Sequence, residues 1–446
     1  MPNYKAVDAV RLDAAMAATA DAIREKTSGT EPIPWNADTG FAEAVAGITG
    51  GGAAVSVPMK DVNFYDYDGT RLYSYTVAEA AALTELPPLP TRDGLICQGW
   101  NWNLADIKAM GRAVDVGAMY ITDDGKTKIY ITLPEGRTSP MLGCAVNGDV
   151  VIDWGDGTAP DTLTGTSVTA AKWTPNHNYT QPGDYVITLT VNGQASLIGK
   201  SSGAEYLDYH GFLRHDAENS PLDYIYSNAV KKIELGENMT RVGTSAFANC
   251  YMLHSITLSE GVTLIGSYAF TNCVRLRNVI LPRGVTRTNT EAFVQCSSLE
   301  RVVMPFGITS IRDGSFLYCY SLIAARIPDT VEEVDEFIFA DCRSLREIVL
   351  SESMYSTGFG TYEGCLNLIS VIIPKNISTI EPQSFKDCYS VRYYDFASHT
   401  SIPTLSAVNA FDGIADDCEI RVPSALADAW KAATNWATYA DHIVGV

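Results

Sequence analysis

Seven of the ten cysteines recur every 23 residues, and their thiols are the first groups in the chain that could do chemistry. They are Cys250, Cys273, Cys296, Cys319, Cys342, Cys365 and Cys388. Thiols form disulfides, bind metals or act as nucleophiles. An odd number in one series cannot pair completely, and the sequence has no C-x-x-C pair and no histidine at ligand spacing. We therefore predict small buried thiols, without a disulfide framework or a metal site.

Sequence motifs of catalysis are missing from the chain. There is no G-x-S-x-G, no H-E-x-x-H, no Walker loop and no G-x-G-x-x-G after a strand. The six histidines are scattered: His177, His210, His215, His254, His399 and His442. Two carboxylates that meet only in space would not show as a motif, so a glycan-degrading enzyme stays an alternative. We predict no catalytic residues and no cofactor.

Two further groups could bind a ligand. Asp153 and Asp156, in W-G-D-G-T, could form an acid/base pair or part of a calcium site. No third carboxylate lies at a suitable loop spacing, so we expect these two to shape a turn. Trp100 and Trp102 could stack on a sugar, or they could belong to the core of a small domain.

Composition limits the classes of function. The 446 residues are enough for about three domains. Apolar residues make up 46 % and charged residues 19 %, which indicates a globular protein. A net charge of −20 disfavours nucleic acids and anionic membranes as partners. No apolar run approaches membrane-spanning length, and charges interrupt the N-terminal region, so we expect no secretory signal and synthesis in the cytosol.

The cysteines belong to a longer repeat that must position them. Each unit has the form A-F-x-x-C-x-x-L-x-x-I-x-L-P, followed by a turn and a second apolar segment such as Thr263-Leu264-Ile265. One unit is too short to bury its own apolar residues, so stacked units must form parallel strands around a common core. The pattern resembles the 23-residue leucine-rich repeats of bacterial surface proteins. We assign residues 230–422 to this solenoid and expect a bulge near Thr357, which replaces an aliphatic residue.

The C-terminal tail is expected to close the array. Pro423 and Ser424 open a stretch with amphipathic spacing through Trp430, followed by Trp436 and Ile443. Residues 423–446 resemble the tail of such arrays, which implies a helical cap.

The middle of the chain carries a second signature. W-G-D-G-T at 154–158 is followed by His177, Tyr179 and the alternating strand 185–191. This set resembles the polycystic-kidney-disease (PKD) type of immunoglobulin-like β-sandwich. The resemblance covers residues 118–198 and implies a spacer or adhesion unit. Residues 199–229 are expected to be a linker or N-terminal cap.

The segments before residue 118 are less regular. Residues 61–70 predict a hairpin that turns at Asp68-Gly69, and residues 77–83 predict a helix. We assign 53–117 to a small α+β module, similar to ubiquitin-like repeats of bacterial surface proteins. Residues 1–52 predict two helices and a glycine linker. The run Ala20 to Thr27, with Gly40-Phe41, resembles the start of tail-associated proteins of gut phages and prophages. The helices then either dock the chain to a larger particle or pack on the next domain.

One row of side chains should point outward from the solenoid sheet. It contains Glu234, Thr257, Ile280, Val303, Arg326, Val349 and Ile372. Four aliphatic residues side by side form a patch typical of an interaction surface. The predicted binding face consists of Thr257, Ile280, Val303, Arg326, Val349, Ile372, Asn278, Arg301 and Glu347. Alternatively, another domain or a second copy of the chain covers the patch, or these are ordinary β-formers.

The sequence thus predicts a multidomain, mainly β protein: a helical N-terminal segment, a PKD-like sandwich and a C-terminal leucine-rich-repeat solenoid with a helical cap. Our leading hypothesis is a non-enzymatic phage tail protein, located in the virion, whose array binds a host-cell surface protein or glycan. The N-terminal helices would bind other tail proteins, and the chain could form a homo-oligomer. The alternative is a bacterial cell-surface adhesin with the same repeats.

Overall fold

The computed structural model describes residues 61–136, 139–201, 209–214 and 227–446. The predicted N-terminal docking segment, residues 1–52, lies outside the described residues. Among the described residues, no helix is long and apolar enough to cross a membrane.

Residues 61–122 form a small sheet with two short helices on it, which we call the first module. Its elements are β1 (Val62–Tyr65), β2 (Arg71–Tyr75), α1 (Val77–Ala82), β3 (Leu95–Trp100), α2 (Leu104–Met110) and β4 (Val114–Thr122). The sheet order is β2-β1-β4-β3, with β1 parallel to β4. The predicted hairpin and helix are confirmed, and Gly69 supplies the positive φ of 87° that the turn needs. The module extends to Thr122, beyond the expected boundary at 117, because β4 is one of its central strands.

The tryptophans of the first module are core residues. Trp100 packs edge-on against Phe64 at 4.9 Å, and its indole Nε1 donates to Pro87 O at 3.0 Å. Trp102 is also buried. Neither ring is available to stack on a sugar, so the core interpretation is correct.

Four long antiparallel strands follow the first module. They are β5 (Thr127–Leu133), β6 (Met141–Asp153), β7 (Asp161–Trp173) and β8 (Gly183–Leu197), paired in the order β7-β6-β8-β5. The strands expected at 128–133 and 141–146 are confirmed. The sheet does not end there, because β5 pairs antiparallel with the first strand of the solenoid, Val230–Glu234. The expectation of an independent sandwich is wrong in this respect: these strands form the N-terminal cap of the array and share its core.

Short strands complete this cap. They are β9 (Lys200–Ser201), β10 (Tyr209–His210) and β11 (Leu213–Arg214), and β11 pairs with β6. Phe212 packs edge-on against Phe247 at 5.5 Å. The described part of the expected linker therefore covers the first coil.

The solenoid has two rows of parallel strands. The main row contains β12 (Val230–Glu234), β14 (Ser255–Thr257), β16 (Asn278–Ile280), β17 (Arg301–Val303), β19 (Ala324–Arg326), β21 (Glu347–Val349), β22 (Ser370–Ile372), β24 (Tyr393–Asp395) and β26 (Glu419–Val422). The second row contains β13 (Met239–Val242), β15 (Leu264–Ile265), β18 (Ser310–Ile311), β20 (Glu333–Val334), β23 (Thr379–Ile380) and β25 (Thr404–Leu405). Partners within each row are 23 residues apart at most steps, as in Asn278 opposite Arg301, so the sequence repeat is the structural repeat.

Two ladders of side chains fill the interior. The phenylalanine column stacks from coil to coil, with ring centroids 4.9 Å apart at Phe270 and Phe293. Each cysteine of the ladder from Cys273 to Cys388 donates its Sγ–H to a backbone carbonyl in the preceding coil. The acceptor is the aromatic residue 26 positions earlier, as in the bond from Cys296 to Phe270 O at 3.1 Å. All ten cysteines are free. A thiol fits this column because it is small, apolar and still donates a hydrogen bond.

The coil near Thr357 keeps its register. Ser356 bridges to Thr379 in parallel, and the buried Thr357 hydroxyl bonds Ser384 Oγ at 2.6 Å. The expected bulge is wrong because the neighbouring coil supplies a hydroxyl partner for the polar side chain.

The C-terminal tail closes the array as expected, but not as one helix. A 3₁₀ helix (Ser424–Leu426), α3 (Ala427–Ala432), a second 3₁₀ helix (Trp436–His442) and β27 (Ile443–Gly445) follow one another. Extended backbone at Ala433 and a positive φ of 63° at Asn435 end the helix. Trp430 and Trp436 pack edge-on against Phe396, which covers the end of the core.

Candidate functional site: the outer face of the solenoid sheet

The chain itself covers the centre of the predicted binding face. Strand β4 of the first module lies against β14, β16 and β17. Ile280 and Val303 are only 7 % and 1 % exposed because they pack with Tyr65 and Met119. Thr257 is buried in the same row. These side chains point outward from the sheet, as predicted, but no external partner can reach them.

Two glycines allow this close approach. A Cβ on Gly117 would overlap the side chain of Ile280, and a Cβ on Gly69 would overlap that of Asn278. Asn278 is half-buried, and its Nδ2 donates to Asp68 O at 2.8 Å. The module therefore rests on the sheet through its backbone as well as its side chains.

Buried polar groups fix the orientation of the module. Asn101 donates to Leu281 O at 3.0 Å and accepts from the Gly117 amide at 2.7 Å. The Trp102 indole donates to Met304 O at 2.8 Å. Leaving such a buried donor unpaired costs about 1–3 kcal/mol, so another docking position would be disfavoured.

A charged cluster lies at the edge of the covered region. Arg326 is buried, with its guanidinium 3.3 Å from Asp115 of the module and 3.1 Å from Glu347. Burial raises the pKa of Asp115, while Arg326 and Arg301 oppose that rise by favouring the carboxylate. The Arg301 guanidinium lies 3.9 Å from the centroid of the Tyr65 ring. Arg326, Arg301 and Glu347 thus serve the internal interface.

A second ion pair extends the interface by one coil. Arg112, after α2, binds Asp329 and lies 3.8 Å from Glu352. Its guanidinium also donates to Leu350 O at 2.6 Å. Contact with the module therefore reaches the coil of β21.

The aspartates of the W-G-D-G-T motif shape local backbone, as expected. Asp153 accepts from the Gly155 amide at 2.9 Å, and Asp156 accepts from the Thr158 amide at 3.1 Å. His177 stacks on Trp154 at 4.5 Å and bonds Asp156 at 2.8 Å. Burial acts to raise the pKa of Asp156, but the bonds from Thr158 and His177 outweigh it and lower the pKa. Among the described residues, no three His, Cys, Asp or Glu side chains group as a metal site.

The ladder thiols are held in the neutral form. Burial raises the pKa of each of the seven thiols, from Cys250 to Cys388. A thiolate is the reactive species, so these groups are poor nucleophiles at neutral pH.

Comparison with known proteins agrees with this geometry. Residues 223–333 and 309–413 match the family described as "BspA type Leucine rich repeat region", in six copies. The solenoid is a BspA-type leucine-rich-repeat array. No curated protein matches the chain.

Solved structures with some likeness to this chain come from several bacteria. The leucine-rich-repeat protein of T. pallidum is 30 % identical, with a TM-score of 0.33, over 35 % of this chain and 72 % of that one. A leucine-rich cell-surface protein of Faecalibacterium prausnitzii is 23 % identical (TM-score 0.31), over 44 % and 60 %. A leucine-rich-repeat protein of Bacteroides ovatus is 18 % identical (TM-score 0.39), over 61 % and 69 %.

The BspA-type array has an uncovered region beyond the first module. Ile372, on β22, is 66 % exposed, and Ile369 beside it is 46 % exposed. Val349 is half-buried at the boundary. Of the predicted row, Ile372 and part of Val349 therefore remain accessible.

Sequence reasoning missed the residues that hold the module in place. Asn101, Trp102, Arg112 and Asp115 lie about 180 to 240 positions from their partners, as Arg112 and Leu350 show with a separation of 238. The available signal was G-W-N-W at 99–102, where a polar residue stands between two large aromatic ones.

Proposed function

We propose that this chain is a non-enzymatic recognition protein of the bacterial cell-surface type. Its BspA-type array binds a partner through the uncovered region of the sheet face. The first module is not a loose spacer, because it packs on the rest of that face, over Ile280 and Val303.

One observation carries this proposal: large aliphatic side chains remain exposed where the cover ends. Ile372 lies on β22, in the same row of parallel strands as the buried Ile280 and Val303, and the exposed Ile369 directly precedes that strand. Exposed aliphatic residues in a continuous patch are typical of interaction surfaces. The family match supports the surface-protein interpretation more than a tail protein.

The test is binding of fluorescently labelled full-length protein to a panel of bacterial and epithelial cells. We expect Ile372→Asp to lose binding without a change in thermal unfolding, since the side chain is exposed. Val408→Asp, also at an exposed aliphatic residue but in another part of the coil, is the matched control and should bind normally. If the two variants bind equally well, this face is not the recognition site.

We retain mounting on a phage tail, through residues 1–52, as a second proposal. It rests on the likeness of the run Ala20 to Thr27, with Gly40-Phe41, to tail-associated proteins. The receptor would then be a host-cell surface protein or glycan. Antibody labelling of purified particles and of intact cells separates the two locations.

A further inference from the structure

A line of exposed cations and isoleucines runs along the uncovered region. Arg346, Ile369 and Arg392 occupy the same position in successive coils, because the Ile369 amide donates to Arg346 O and the Arg392 amide to Ile369 O. Neighbouring coils are about 4.8 Å apart. The isoleucine therefore stands between two arginines, and all three side chains are exposed.

Within the described part of the chain, Arg346 and Arg392 have no ion-pair partner, although the protein has a net charge of −20. Of the neighbouring carboxylates, Glu347 pairs with Arg326 at 3.1 Å and Glu419 with Arg421 at 2.7 Å, while Asp395 accepts from the Ala397 amide at 2.8 Å. Among the described residues, no carboxylate forms an ion pair with Arg346 or Arg392. Their charges are therefore free for a partner.

The internal interface shows which chemistry this face accepts. The module presents the apolar side chains of Tyr65 and Met119 to Ile280 and Val303, and the carboxylate of Asp115 to Arg326. The uncovered region offers the same combination of isoleucine and arginine. It continues the covered surface, since Glu352 contacts the module and Lys375 is exposed one coil further on.

We propose that Arg346, Ile369, Ile372, Arg392 and Lys375 bind a protein that presents an apolar side chain beside carboxylates. This inference rests on the proposed function and specifies the partner's class. Aliphatic side chains gain free energy only against apolar partner atoms. None of these five residues has an aromatic ring for a sugar, and the neighbouring Tyr393 ring is half-buried with the Arg421 guanidinium 3.9 Å from its centroid. A protein surface therefore fits this region better than a glycan.

The experiment uses labelled full-length protein and the cells that it binds. Arg346→Ala combined with Arg392→Ala should weaken binding by about tenfold or more, since both charges lie within the contact. Arg277→Ala combined with Lys431→Ala is the matched control, because it changes the net charge equally and leaves the patch intact. Protease treatment of the cells should abolish binding, and periodate oxidation of their glycans should not.

The outcomes separate this inference from the proposed function. Binding that survives protease but not periodate would overturn the protein partner and leave recognition by the array standing. Equal binding by the two double variants would overturn the assigned surface. If the wild-type protein binds no cell in the panel, the proposed function itself fails, and the inference fails with it.

Discussion

Two buried tyrosines, Tyr362 and Tyr179, differ in whether their hydroxyl groups have hydrogen-bond partners. Tyr362 occupies a phenylalanine position in the aromatic ladder and stacks on Phe385 at 5.2 Å. Its hydroxyl is buried without a hydrogen-bond partner among the described residues. Tyr179 differs, because its hydroxyl donates to Trp154 O at 2.9 Å. A buried tyrosine hydroxyl therefore destabilises the fold at position 362 and stabilises it at position 179.

We expect Tyr362→Phe to raise the free energy of unfolding by about 1 kcal/mol, since it removes an unsatisfied buried hydroxyl. Tyr179→Phe should lower it by a similar amount, because it leaves a buried carbonyl unpaired. Chemical denaturation of both variants measures the difference. A loss of stability in Tyr362→Phe would show that its hydroxyl has a partner.

At the scale of elements, the sequence predicted most of the array. A spacing of 23 residues identified the coils, and alternating residues such as Val279 and Leu281 identified the inward side of each strand. The role of the thiol as a donor to the preceding coil was not predictable. That bond depends on how the coils stack, which no local pattern contains.

The thiol ladder makes stability dependent on alkaline pH. Burial raises the pKa of the ladder thiols above the usual value, which is about 8.5 in an unfolded chain. Their contribution is therefore complete below that pH and is lost as pH rises, because the unfolded chain releases protons that the folded chain retains.

We expect the free energy of unfolding to fall steadily as pH rises above about 8.5. Replacing two ladder thiols, as in Cys296→Ala with Cys319→Ala, should make this fall shallower, although the variant is less stable at pH 7. Urea titrations at several pH values measure the slopes. The same slope in both proteins would contradict buried, neutral thiols.

At the scale of the whole molecule, the central finding is how the modules associate. The cap strands β5 and β8 extend the array, and the first module covers its sheet face from β14 to the coil of β21. The sequence identified the apolar row. It did not show whether another domain, a second copy of the chain or a separate partner contacts that row. In the structure, Tyr65 and Met119 pack on Ile280 and Val303, some 200 positions away in the sequence. The first module of the same chain is therefore the cover.

Thiol accessibility tests that arrangement most directly. In a Cys97→Ser background, Ile372→Cys and Ile280→Cys each place one thiol in the same row of the sheet, and a maleimide probe measures the labelling rate of the native protein. We predict rapid labelling at position 372 and, because the first module covers the site, labelling about a hundredfold slower or more at position 280. Equal rates at the two positions would contradict the account, since the module would then not lie on the sheet.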